Sequence, residues 1–156
     1  MVAVLYCLVQ NAQLFDGWAR RNGHVRTMFV DDSHVSTVSD NDVLRVKWTG
    51  DAILERVIAV IEHQWSLGLR KSFWDLTRAR THTLSATDIQ SIAMHIKMCR
   101  PEGFMPGADA FLVSTALDYG IMRMVQARCE FLGVEVQVGR DLRILEQWLD
   151  DIELRP

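Results

Sequence analysis

From Gly50 onward the chain keeps one rhythm: a stretch with helical periodicity, a short apolar run, then another helical stretch. The apolar runs are Ser72–Leu76 (SFWDL), Ala110–Ser114 (AFLVS) and Val134–Val138 (VEVQV), each followed within a few residues by an amphipathic segment. Strands separated by helical crossovers pair in parallel, because a tight turn can only return a strand antiparallel. The rhythm therefore predicts an α/β fold around a mostly parallel sheet. It defines an architecture and no reaction.

The remaining elements follow from local patterns. Leu44, Val46 and Trp48 alternate with Arg45 and Lys47, which marks a strand with one apolar face. The polar turn Ser39-Asp40-Asn41-Asp42 and the β-branched run through Val35 and Val38 make that strand one arm of a hairpin. Leu54, Val57, Ile58, Ile61 and Trp65 recur at helical spacing, and Gly68 follows as a residue able to take a left-handed turn. Ser85 with Asp88 reads as an N-cap and its acid, opening a helix through Ile89, Ile92 and Ile96 that stops before Pro101. A third helix carries Ile121, Val125, Cys129 and Leu132, and a last one Leu142, Leu145, Leu149 and Ile152. The expectation is five strands, the first two forming an N-terminal hairpin, and about four helices in a single domain over residues 25–156. Residues 1–24 show no sustained period after the apolar opening Val2–Val9 and are expected to form an appendage.

Phe73 and Trp74 must point to opposite faces of their strand, as must Leu112 and Val113. Both sides of the sheet centre then need cover. If the helices gather on one side, the other calls for residues 1–24, a second copy of the chain or an apolar ligand.

Composition narrows the function classes. At 156 residues the chain is long enough to bury about 70% of its extended surface without metal or disulfide. Hydrophobic residues at 49% and charged residues at 24% argue against disorder. A net charge of -3 gives no electrostatic reason for nucleic acid or an anionic membrane as partner. Cys7, Cys99 and Cys129 are odd in number and lack CxxC spacing, which fits reduced, buried thiols in a cytoplasmic protein. No run approaches the roughly 18 apolar residues of a membrane span. The opening lacks the basic region and cleavage site of a signal peptide. His24, His34, His63, His82 and His95 show no ligand spacing, and no phosphate-binding glycine pattern occurs, so neither metal nor cofactor is expected.

Three segments carry a family likeness: FWDLTRAR (Phe73–Arg80), ALDYGIMRM (Ala116–Met124) and RDLRILEQWL (Arg140–Leu149). In this order the chain resembles the STAS domain of anti-sigma-factor antagonists, and more closely the small bacterial SpoIIAA-like proteins described as STAS/SEC14-like. The likeness covers about residues 26–152. It implies a βα superhelix, a fold shared with lipid-binding Sec14 domains, and binding in place of catalysis. The antagonists are switched by phosphorylation of a serine that opens the second helix within an Asp-Ser-Ser-Gly-like motif. Here that region reads THTLSATD, with Ser85 and Thr87 as the nearest hydroxyls, and the motif is absent.

Ligand sites in parallel βα folds favour the carboxyl ends of strands, where helix N-termini present free N–H groups. That rim is expected to gather Asp75, Thr77, Arg78 and Arg80, then Ser114, Thr115 and Asp118, then Arg140. Arginines beside hydroxyls suit a phosphate or carboxylate, although capping is the ordinary use of Ser and Thr at helix starts. Tyr119 and Arg123, four residues apart, share a helix face, and Gly120 between them implies close packing or a ligand beside that turn. Ser85 completes the candidate binding set. The sequence thus leads to a non-enzymatic cytoplasmic module with a protein partner or a second copy of itself. The alternative is a carrier of a small apolar or lipid-like ligand.

Overall fold

The computed structural model describes residues 26–30 and 33–154, so the expected appendage over residues 1–24 lies outside the described residues. The hairpin forms as the pattern requires. β2 (Ser33–Asp40) and β3 (Val43–Asp51) pair antiparallel, with Asp40 opposite Val43. Between them Asn41 and Asp42 adopt φ of 45° and 64°. Two left-handed residues in a two-residue loop match the right-handed twist of the flanking strands, and Asn and Asp tolerate that region better than most. A further strand, β1 (Arg26–Val30), pairs antiparallel with β2 and extends the sheet beyond the five expected strands to six.

The chain then alternates: α1 (Leu54–Ser66), β4 (Lys71–Arg80), a single 3-10 turn at Thr81–Thr83, α2 (Ala86–Cys99), β5 (Ala108–Leu112), α3 (Ala116–Glu130), β6 (Glu135–Gly139) and α4 (Leu142–Asp151). The sheet order is β1-β2-β3-β4-β5-β6, and the pairings β3–β4, β4–β5 and β5–β6 are parallel. The fold is α/β with a mostly parallel sheet beyond the first hairpins. β4 runs past Leu76 to Arg80 because its polar end pairs with Thr49, Gly50 and Asp51 after a shift of register in β3.

Crossovers of one hand that step in one direction across a sheet lay their helices over one face. The buried residues of α1, α2 and α3, among them Val60, Ile61, Ile92, Ile96, Val125 and Cys129, accordingly join one core with Trp48, Trp74, Phe111 and Val138. The opposite face is covered by the chain's own last helix. Leu145 and Leu149 of α4 pack on Val43, Phe73, Ala108, Ala110 and Leu112. Over β4 and β5, then, neither a second copy nor a ligand is needed as the second cover. Asp141 caps α4 by accepting from the backbone N–H groups of Arg143 and Ile144. Arg45 binds Glu146 at 2.9 Å, and the Lys71 ammonium donates to the Leu149 carbonyl at 2.7 Å.

Leu145 is 1% exposed and Leu142 45%. Leu145→Ala is expected to cost about 2–5 kcal/mol by urea denaturation, whereas Leu142→Ala should stay within about 0.5 kcal/mol. Equal losses would mean that α4 is not the cover of this face.

Candidate ligand cavity

At the carboxyl ends of the strands, several of the expected binding residues are engaged within the fold. Asp118, buried at the start of α3, accepts from the Thr81 hydroxyl at 2.5 Å, the Thr81 backbone N–H at 3.3 Å and the Thr115 hydroxyl at 2.5 Å. Burial raises its pKa, but the hydrogen bonds from Thr115 and Thr81, with the nearby His82, outweigh it and leave the carboxyl below its usual range. Thr115 in turn caps α3 by accepting from the Asp118 N–H at 3.0 Å. Ser85 and Asp88 form a full capping box on α2, each accepting from the other's backbone N–H.

The other rim residues are placed as follows. The Asp75 carboxylate accepts from the Thr77 N–H and hydroxyl, and the Ser114 hydroxyl donates to the Thr77 carbonyl. Arg80 pairs with Asp51. The Arg140 guanidinium lies 5.8 Å from the centre of the Tyr119 ring, and Arg123 donates to the Gln126 side chain at 2.6 Å. Arg78 is exposed. The structure thus brings together Thr81, Thr115 and Asp118, and separately Tyr119 and Arg140. Gly120 differs from its expectation, since a Cβ there would meet nothing within 4 Å.

An apolar cavity lies elsewhere, between the sheet and the layer of α1, α2 and α3. Trp48, Trp74 and Phe111 form its floor, Ile61, Trp65 and Ile92 part of its roof. Its unfilled space is about 860 Å³ with the open mouth included, of which about 80 Å³ is wide enough for the centre of a water molecule. One buried water needs roughly 10–15 Å³ by that kind of measure. The room suits several waters or one small organic molecule. Apolar walls make the organic molecule the better guest, since dry apolar cavities reject isolated waters.

One end of the cavity is polar, and it is the amino end of β4 and β5. Asp109 shares the helix-facing side of β5 with Phe111, two residues on. The Ser72 hydroxyl donates to its Oδ1 at 2.5 Å, and the Trp74 indole N–H donates to the Ser72 oxygen at 2.6 Å. Gln64 of α1 also lines this end and lowers the Asp109 pKa. Removal from water pushes the Asp109 pKa up to about 6, against the lowering effects of Ser72, Gln64 and the Arg100 charge. Cys129 also lines this space. Burial, then the negative charge of Asp109, pushes its thiol up to about 12, so it carries no thiolate with which to attack a substrate. Cys99, by contrast with the expectation of buried thiols, is exposed.

The segment of residues 101–107 closes the polar end with Phe104, Met105 and Pro106. Arg70 holds it by donating from Nη2 and Nε to the Pro106 carbonyl at 2.9 and 3.3 Å. A Cβ on Gly107 would fall 1.7 Å from the Arg70 carbonyl oxygen, which itself accepts from the Ala108 N–H. Only glycine permits that approach. Asp109 is not among the residues that the sequence singled out. The available signal was its phase: it stands two and four residues before Phe111 and Val113, on the inward face of a strand.

Among the described residues, no group of His, Cys, Asp and Glu is arranged to hold a metal ion, and no helix is long and apolar enough to cross a membrane. Fold and cavity together define an α/β domain with a helix-roofed apolar chamber. No family model matches the sequence, and no curated protein matches it. Among solved structures, it is similar to an uncharacterized protein from the DUF3478 family of Shewanella loihica PV-4 with a SpoIIAA-like fold. The two are 16% identical over 85% of this chain and 99% of that one, with a TM-score of 0.45.

A carboxyl whose pKa is raised on folding stabilises the native state fully below its unfolded value, and that contribution fades as pH rises through its folded value. For Asp109 the window runs from about pH 4 to about pH 6. Relative to Asp109→Asn, the wild type should gain about 1–3 kcal/mol of stability as pH falls from 7 to 4. Parallel denaturation midpoints across that range would show that Asp109 is not desolvated.

Proposed function

We propose that this protein is a cytoplasmic, non-catalytic binding module that holds one small, mainly apolar molecule between its sheet and the α1–α3 layer. The observation that carries the reading is the aromatic chamber with a single polar end. Apolar enclosure with a few convergent polar groups is the usual form of a small-molecule site. Its limited volume favours a ring-sized guest over a two-chain lipid. The inert Cys129 thiol and the structural engagement of Asp118, Thr115 and Ser85 support binding over catalysis.

Native mass spectrometry of protein purified from cells should record a retained organic mass. Ile92→Trp, which fills the chamber from α2, should remove that mass while the chain stays folded, at a cost of about 1–3 kcal/mol from overpacking. An apo spectrum for the wild type, with no change in tryptophan emission on adding indole, would overturn the reading.

A second reading, contact with a protein partner or another copy, is favoured by a different surface. Met94 and Met98 lie four apart on α2 and are 46% and 67% exposed, and Phe131 at the end of α3 is 89% exposed. Adaptable exposed methionines suit a docking surface. The double variant Met94→Glu with Met98→Glu should lose any self-association seen by analytical ultracentrifugation, or any partner co-purified with the wild type. Unchanged assembly and recovery would exclude this surface.

A further inference from the structure

We infer that the occupant of the chamber is a flat aromatic compound bearing a neutral N–H, which it donates to Asp109; this rests on the reading of the chamber as a small-molecule site. Shape comes first. The floor is built from rings, with the near-parallel Trp48 and Trp74 6.3 Å apart between centres and Trp74 tilted against Phe111 at 5.8 Å. Trp65 and Phe104 sit 6.4 Å apart above the polar end. Rings offer such walls more contact than a flexible chain does, and they lose less rotational freedom on binding.

The hydrogen-bonding balance of the polar end then selects the head group. An ionised carboxylate has two oxygens with about four acceptor positions and no donor. Ser72 supplies a donor to Asp109 and Gln64 stands nearby, which leaves acceptor capacity on a group that lines the chamber. The nearby arginines are turned toward carbonyls, Arg70 to Pro106 and Arg100 to Leu132. Neither of these bonds goes to Asp109, so its remaining acceptor positions are open to a donor on the ligand. Charge decides which kind: Arg100 already lies within electrostatic reach of Asp109, so an added ammonium would meet a like charge where a neutral N–H meets none. The protein's own Trp74 indole, whose N–H enters the same chain through Ser72, shows the type of donor this network accepts.

Three bicyclic probes of similar size separate the possibilities by isothermal titration calorimetry on the full chain: indole, indene and 2-aminoindane, whose only donor is an ammonium. Indole should bind about tenfold or more tightly than indene, which matches its shape and lacks the donor, because a hydrogen bond to a charged group carries at least that factor. 2-Aminoindane should bind more weakly than indole. In Asp109→Asn, which keeps a neutral acceptor and the packing, the preference for indole over indene should shrink to a few-fold. Equal affinity of indole and indene for the wild type would overturn the inference while leaving the chamber as a binding site. Tighter binding of 2-aminoindane would overturn the neutral head group. Binding of none of the three would overturn both the inference and the reading on which it rests.

Discussion

Trp74 and Phe73 leave β4 in opposite directions, and the two faces they create are filled in different ways. On the Phe73 face the neighbouring strand offers Ala108 and Ala110, both fully buried and both small. α4 can lie directly on them, so that Leu145 reaches the sheet and comes within 3.2 Å of the point where Gly139 would carry a Cβ. On the Trp74 face the strands present Trp48, Trp74 and Phe111 side by side. Large rings hold the three crossover helices away from the backbone, and rigid plates cannot fill every gap between themselves and a curved helix layer. The flat, closed packing of one side and the chamber of the other have one origin, the size of the side chains that the pleat assigns to each face.

Two acidic residues, near opposite ends of the sheet, show how the balance of donors against desolvation leads to different roles. Asp118 has both oxygens engaged by hydroxyl and backbone donors from the 3-10 turn and the α3 cap. The charge is compensated, its pKa is lowered, and the group ties β4 to α3. Asp109 receives fewer donors in a drier setting, and its pKa moves the other way. A half-compensated carboxyl against an apolar chamber costs the native state free energy whenever it is ionised. Stability alone would place valine there, in phase with Phe111 and Val113. Its presence is understandable if something in the chamber completes its hydrogen bonds.

The parts of the fold visible in the amino-acid sequence are those governed by local rules. Asn41-Asp42 carries its own turn chemistry, Ser85 and Asp88 cap α2 as their spacing requires, and Gly68 and Gly133 take positive φ at helix ends. The position of α4 was not visible, because its amphipathic stripe fits either face. A helix between two parallel strands must return to the sheet from a set side, whereas a helix after the last strand is free of that constraint. The site was less legible than the fold. Carboxyl-end geometry drew attention to Ser114, Thr115 and Asp118, which the structure uses to close loops and cap helices. Asp109, Ser72 and Gln64 come from three separate elements, and no spacing rule joins them.

The chamber and the segment that closes it differ in character. The chamber's walls are mostly apolar side chains, which smaller rings on the floor or a larger side chain on α2 would repack. The closing segment, by contrast, is held tightly, through two hydrogen bonds from Arg70 to the Pro106 carbonyl and through the glycine contact at Gly107. On the proposed reading, the same fastening would hold Phe104 and Met105 against a guest and keep water from the Asp109 carboxyl, where a hydrogen bond is strongest when solvent is excluded.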